Sequence, residues 1–380
     1  MGLSHVDTRS APRHGDFAAP SVYALAMIRK RLGLAWRAAL LAALLLAAPW
    51  ASARADEMPA PEAAPHALLE SIQPSDELQA FLDTAIEELL AGDAALREQT
   101  LRVAVIDLPA GAAPRLAQRN GDSPVYPASV VKLVYLMAAY AWRDQGQLEI
   151  DPAFARLLRQ MIYASSNHAT QIVLRRLTGT QAGPRLEPEA YDAFRQRRLR
   201  VKHWLQDLGI DDLHTVHPTY DGGGDLYGRD LQFLEDPNVE GSLPDQTGPY
   251  HNRQAMTASG TARLLALLAT DQALSPESSA EVREQMRRDP RRQHYLMQRI
   301  AGGADLRPDL EVYSKTGTWG PIFADAGIVR HASGHQLVVV VFLEGHPAYR
   351  GPFIASLTRR AVRRLLPEPK TGRGPASGGA

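Results

Sequence analysis

Apolar and polar positions along the chain follow two periods, and the switches between them outline the molecule. From 75 to 91, "SDELQAFLDTAIEELLA" repeats apolar residues every three or four positions, the mark of an amphipathic helix, with Ser75 and Asp76 as cap candidates and Gly92 as its stop. "LRVAVIDL" at 101–108 reads as a strand, and "PRLAQRN", beyond a glycine-containing turn, as its hairpin partner. Helical periods take over at about 129–143, 153–177 (interrupted at the serines), 190–208, 257–269 and 276–288. Strand patterns return at 310–317, 322–331 and 335–345, and a last amphipathic helix covers 352–366. Strands at both ends with helices between them predict an α/β (α+β) fold. One antiparallel sheet is built from both chain ends and flanked by helices, a mostly helical subdomain is inserted into it, and a cleft lies between the two.

The flanks do not share these periods. Residues 27–55 begin with Arg29, Lys30 and Arg31, continue through the apolar "AALLAALLLAA" and end in the small-residue sites "ASA" and "ARA", the layout of a secretory signal peptide. The apolar run is shorter than the roughly 20 residues a membrane-spanning helix needs. Residues 1–26 fall outside that pattern, so Met27 is read as the translation start. Residues 56–74 read as a Pro/Ala linker, 75–367 as the folded domain and 368–380 as a disordered tail, with the segment 220–255 as a long loop holding "YDGGGDLYGRD".

Composition removes several classes of function. Basic and acidic residues balance at 42 each, which offers no global field for nucleic acid. Cysteine is absent, so an exported chain would rest on its core rather than on disulfides. Walker, Rossmann, G-x-S-x-G and H-E-x-x-H signatures are missing, and no cofactor is expected. His214 and His217 lack the clustered ligands of a zinc site, and no metal is expected either.

Three short stretches carry candidate chemistry. In "YPASVVK" Ser129 and Lys132 lie three apart on a helix and share a face, so the amine can reach the hydroxyl. A buried lysine near other cations can serve as the base that a serine nucleophile needs; read blandly, the pair is a helix cap and a surface charge. Five lysines against 37 arginines weaken the bland reading, because arginine cannot deprotonate and the base must be lysine. In "ASSNHAT", Ser165 and Asn167 stand between two helical patterns and offer a hydroxyl and an amide to a cleft, while the stretch taken alone reads more readily as a helix cap. In "SKTGTWG", Lys315, Thr316 and Thr318 offer cationic and hydroxyl contacts for a carboxylate, and Gly317 lets a ligand backbone approach. The second "KTG", at 370–372, has no strand around it and is read as meaningless.

In the order SxxK, SxN, KTG, with helix, turn and strand contexts, these stretches resemble the class A serine β-lactamases and their penicillin-binding relatives, over about residues 75–366. The resemblance implies that Ser129 is acylated, that Lys132 is its base or relay, and that Ser165 passes a proton to the leaving nitrogen. It further implies that Asn167 binds the substrate amide, that Lys315, Thr316 and Thr318 hold its carboxylate, and that the N–H groups of Ser129 and Thr318 form the oxyanion hole. Expected partners are a small-molecule β-lactam or a cell-wall peptide, the expected place is the bacterial periplasm without a stable membrane span after signal cleavage, and the expected state is a monomer. One part of the family pattern is absent. "HPTYD" stands where the deacylating glutamate and its asparagine belong, leaving His217 and Asp221 in their places and Asp225 and Glu235 further along the loop as other candidates. Three readings stay open: an active serine hydrolase of the β-lactamase type, a D-Ala-D-Ala peptidase, and a binding module without catalysis.

Overall fold

A computed structural model describes residues 63–219, 227–241, 251–304 and 307–368. Its principal sheet has six strands: β1 (Gln73–Pro74), β2 (Thr100–Leu108), β3 (Arg115–Arg119), β6 (Leu310–Trp319), β7 (Ile322–His331) and β8 (Gln336–Glu344), in the order β1-β3-β2-β8-β7-β6. The short strands β4 (Leu213–His214) and β5 (Ala255–Met256) pair separately. Apart from the parallel two-residue β1–β3 contact, neighbouring strands in the large sheet are antiparallel. The last strand, β8, lies between β2 and β7, so the two chain ends meet in the middle of the sheet.

The run "LVVVVFL" is apolar on both strand faces because both are covered. Val338, Val340 and Phe342 join one core with Ala104 and Ile106, while Leu337, Val339, Val341 and Leu343 join another with Val103 and Val105. The helices are α1 (Ala63–Ser71), α2 (Asp76–Gly92), α3 (Lys132–Asp144), α4 (Pro152–Tyr163), α5 (Asn167–Thr178), α6 (Pro188–Arg198), α7 (Arg200–Asp207), α8 (Gly228–Glu235), α9 (Ala258–Ala269), α10 (Pro276–Met286) and α11 (Phe353–Leu365). The second core is closed by α2 and α11; the first is closed by α9 and by α3, which is buried from Lys132 through Trp142. An all-round apolar pattern belongs to a helix enclosed on every side. None of the helices in the described residues is long and apolar enough to cross a membrane.

Three expectations change. The linker read at 56–74 contains α1, whose neighbour Ile72 is buried and whose His66 ring contacts the Asp207 carbonyl at 3.1 Å. The helix expected over 190–208 is two helices meeting at Leu199. The loop expected over 220–255 contains α8, with Phe233 in a small third core beside Phe194, Leu199, Val216 and Val239. Arg198 is buried at its centre with 2.5 Å between its Nη2 and Asp230 Oδ1, and its guanidinium lies over the Phe194 ring. The cap expected at Ser75 forms, its hydroxyl accepting from Leu78 N at 3.3 Å.

Candidate active site

The nucleophile candidate sits on a bent lead-in to α3. Ala128 is held at φ 48°, a left-handed conformation that costs a non-glycine residue about 1–3 kcal/mol and gathers at functional sites. Residues Ala128–Val131 then make a single 3-10 turn that runs into α3. Ser129 remains partly accessible while Lys132 is fully buried. Lys132 Nζ lies 3.1 Å from Ser129 Oγ, 2.5 Å from the Ser165 carbonyl, 3.3 Å from Ser165 Oγ and 2.7 Å from Asn167 Oδ1.

The turn between α4 and α5 divides the roles that its sequence leaves merged. Ser166 is the cap, accepting from Ala169 N at 3.1 Å. Ser165, at φ 55°, faces the cleft instead, and its hydroxyl accepts from Lys315 Nζ at 3.0 Å as well as from Lys132. One hydroxyl thus joins the two lysines, and the SxxK, SxN and KTG stretches converge on it.

Strand β6 supplies the remaining wall. Lys315 is buried, and its ammonium also donates to the Thr316 carbonyl at 2.8 Å. Burial, followed by the charges of Lys132 and Arg288, pulls its pKa well below the ordinary lysine value, against the opposing effect of Asp325. The close approach that Gly317 permits in this structure is one within the chain. A Cβ there would lie 2.8 Å from the Pro127 carbonyl oxygen and 3.0 Å from Val130 Cγ2, so it is the nucleophile turn that approaches this strand closely. Thr316 is nearly buried and Thr318 exposed, the latter accepting from Arg299 Nη2 at 2.7 Å. Arg299 was not visible as a site residue: it donates to the Ala324 carbonyl, stacks on Phe323, and burial lowers its pKa to about 10.

Of the deacylation candidates, His217 and Glu235 lie among the described residues. His217 is not a solvent-facing loop residue; it is 1% exposed, with Nδ1 3.1 Å from the Pro218 carbonyl and Nε2 3.3 Å from the Asp230 carbonyl. Burial, then the charge of Arg198, lowers its pKa to about 4, so the ring is neutral at pH 7. Both ring nitrogens face main-chain oxygens, so the one lone pair that a neutral ring keeps is directed at a carbonyl in this arrangement. Its own carbonyl accepts from Tyr135 Oη at 2.8 Å and from Gln254 Nε2, which fixes the segment to α3. Glu235 pairs with Arg185 at 2.5 Å on the surface. Asp221 and Asp225 lie outside the described residues. His214 contacts Asn252 Oδ1 at 3.2 Å, and among the described residues no group of three potential metal ligands gathers.

Comparison with known proteins gives a family and a fold. A family model described as "Beta-lactamase enzyme family" matches residues 152–365. Among solved structures, a β-lactamase from Sphaerobacter thermophilus aligns over 76% of this chain and 99% of its own, at 19% identity and a TM-score of 0.52. A β-lactamase from Xanthomonas campestris pv. campestris aligns over 75% and 97%, at 18% and 0.52. The protein PBP-A aligns over 77% and 97%, at 17% and 0.51. At such identities the likeness is one of fold. No curated protein matches the chain.

Proposed function

Because the chain belongs to the β-lactamase enzyme family, we propose that it is an active-site-serine hydrolase that opens a β-lactam or related amide through an acyl-serine at Ser129. The observation that carries this reading is the contact of Lys132 Nζ with Ser129 Oγ at 3.1 Å, beside the half-buried Ser165 and Asn167 and the buried Lys315. In the proposed reaction, Lys132 as the neutral amine takes the proton from Ser129 Oγ as the oxygen attacks the substrate carbonyl. The N–H groups of Ser129 and Thr318 hold the tetrahedral oxyanion, and each such donor is worth about 2.7–4 kcal/mol in comparable sites. Ser165 then relays a proton from Lys132 to the leaving nitrogen, the C–N bond breaks, and the acyl-serine remains. Lys315, Thr316 and Thr318 hold the substrate carboxylate, and Asn167 its amide. The proposed location is the periplasm, reached through the signal peptide read at 27–55.

A second reading, a D-Ala-D-Ala peptidase for which penicillins are slow-leaving acylators, draws support from His217. A neutral, buried ring turned to carbonyl oxygens is poorly placed to activate water. In the fold neighbour PBP-A, an L158E mutant is known as an acyl-enzyme complex with penicillin G.

Mass spectrometry of the protein mixed with benzylpenicillin, followed over time beside Ser129→Ala, separates the readings. A penicilloyl adduct on Ser129 that forms and decays supports the hydrolase, and one that persists supports the peptidase. Absence of any adduct in the parent protein, or its survival in Ser129→Ala, rejects the assignment of Ser129.

A further inference from the structure

The contact between Ser165 and Lys315 joins two parts of the chain that are built separately: a turn of the helical insertion and an edge strand of the sheet. Something must hold these parts in register. The residue that touches both is Arg288, just beyond α10, which is only 5% exposed. Its main-chain N–H donates to the Val312 carbonyl at 2.8 Å, and its neighbour Arg287 bridges to Tyr313, so the segment lies along the outer edge of β6. Its Nε donates to the Ser314 carbonyl at 2.9 Å, one residue before Lys315. Its Nη2 donates to the Ile162 carbonyl at 3.0 Å, three residues before Ser165.

Both acceptors need such a partner. The Ile162 carbonyl belongs to the last turn of α4, where helical carbonyls lack an intrahelical donor and a cation is favoured. The Ser314 carbonyl sits on an edge strand. Only a planar fork supplies two donors at fixed separation; a lysine ammonium on a flexible stem does not reproduce it. Arg287, by contrast, turns outward to Glu284 and Glu311.

We infer that Arg288 is a positioning residue for the proposed acylation: its guanidinium clamps the Ser165 turn to the Lys315 strand and places a fixed positive charge beside Lys315. The inference rests on the reading of Ser129 as the acylated nucleophile. The charges facing Lys315 are Lys132 on α3, Arg288, Arg299 and Asp325 on β7, three of them fellow cations. Arg288 itself is faced by Asp325, Tyr163 and Tyr295. Its remaining nitrogen, Nη1, is buried without a hydrogen-bond partner among the described residues, so two bonds, not three, fix the fork.

The clamp and the charge are separable by substitution. Arg288→Lys keeps the charge and loses the fork; Arg288→Met loses both. The acylation rate with benzylpenicillin is measured against pH for the parent and both variants, with melting curves as folding controls. The rate falls as pH rises through the Lys315 pKa, since a protonated Lys315 holds the carboxylate and donates to Ser165. Arg288→Lys is expected to acylate roughly ten- to hundredfold more slowly with this alkaline limb unmoved, the scale of a small misplacement at a reacting centre. Arg288→Met is expected to be slow as well, with the limb displaced to higher pH, because one cation no longer opposes protonation of Lys315. Arg288→Lys at the parental rate overturns the clamp, and an unmoved limb in folded Arg288→Met overturns the charge effect. Should Arg288→Met fail to fold, Arg288→Lys decides the clamp alone. A parent protein that forms no adduct overturns the reading of Ser129 itself, and this inference with it.

Discussion

Replacing Gly317 by alanine tests whether strand β6 sets the geometry of the nucleophile. The new methyl group would lie 2.8 Å from the Pro127 carbonyl oxygen and 3.4 Å from Ala128 Cβ, where ordinary contact begins at 3.4 Å. The deficit at Pro127 is 3.4 − 2.8 = 0.6 Å, and the obstructing atom is main chain, so no side-chain rotation relieves it. The turn that carries Ser129 has to move by roughly that distance, stretching the 3.1 Å contact with Lys132. Overpacking of this kind costs about 1–3 kcal/mol, which for a domain of this size lowers the melting temperature by about 2–5 °C. A displacement of about 1 Å at a reacting atom costs on the order of a hundredfold in rate, so a tenfold or greater loss is expected here. Stopped-flow acylation with a chromogenic cephalosporin reads the rate, and a thermal melt reads the packing. If Gly317→Ala melts lower but acylates within about twofold of the parent, the contact is packing alone and the reasoning about geometry is wrong.

Two further outcomes follow from buried charge. Asp230→Ala strands the Arg198 guanidinium in the third core and is expected to cost about 3–5 kcal/mol in urea denaturation, while Arg198→Met with Asp230→Leu returns much of the loss; a single variant as stable as the parent counts against the pair's burial. His214 and His217, both held near pKa 4 by burial against about 6.5 when unfolded, stay neutral in the folded state while the unfolded chain takes up protons. Stability is therefore full above about pH 6.5 and declines as pH falls toward 4, and an equal or higher melting temperature at pH 5 than at pH 7 contradicts this. Because the His217 ring faces carbonyl oxygens, His217→Asn is expected to leave the lifetime of any Ser129 adduct within about twofold, and a tenfold longer lifetime would restore the imidazole as a base.

Where one period governed a segment, the sequence told its structure closely. The strand read at 322–331 is β7 to the residue, and the break at the serines in 153–177 falls between α4 and α5. Ser129, Lys132, Ser165 and Lys315 were legible because each lies in a short stretch whose spacing carries its own geometry. Helix α8 was not, since its lead-in is glycine-rich and its apolar face needs Phe194 and Val216 to cover it. Nor were Arg198 with Asp230, 32 positions apart, or Arg288 between Ile162 and Ser314: among 37 arginines, nothing local marks the ones that go inside. At Gly317 the sequence pattern shows that something comes close, but not that Pro127 and Val130 are among the neighbours.

The central position of β8 also has a consequence for the order of events in the life of the chain. Synthesis delivers Ser129 and Lys132 early and Lys315 late, and the strand that welds β2 to β7 comes after all three. Until residues 336–344 have emerged, β2 has no partner on that side and the edge bearing Lys315 has no sheet to belong to. Contacts closed across so long a stretch form slowly, so the sheet that brings the Ser129 and Lys315 segments together is completed last. A chain cut between β6 and β8 would carry Ser129, Lys132, Ser165 and Lys315 without the strand that joins β2 to β7.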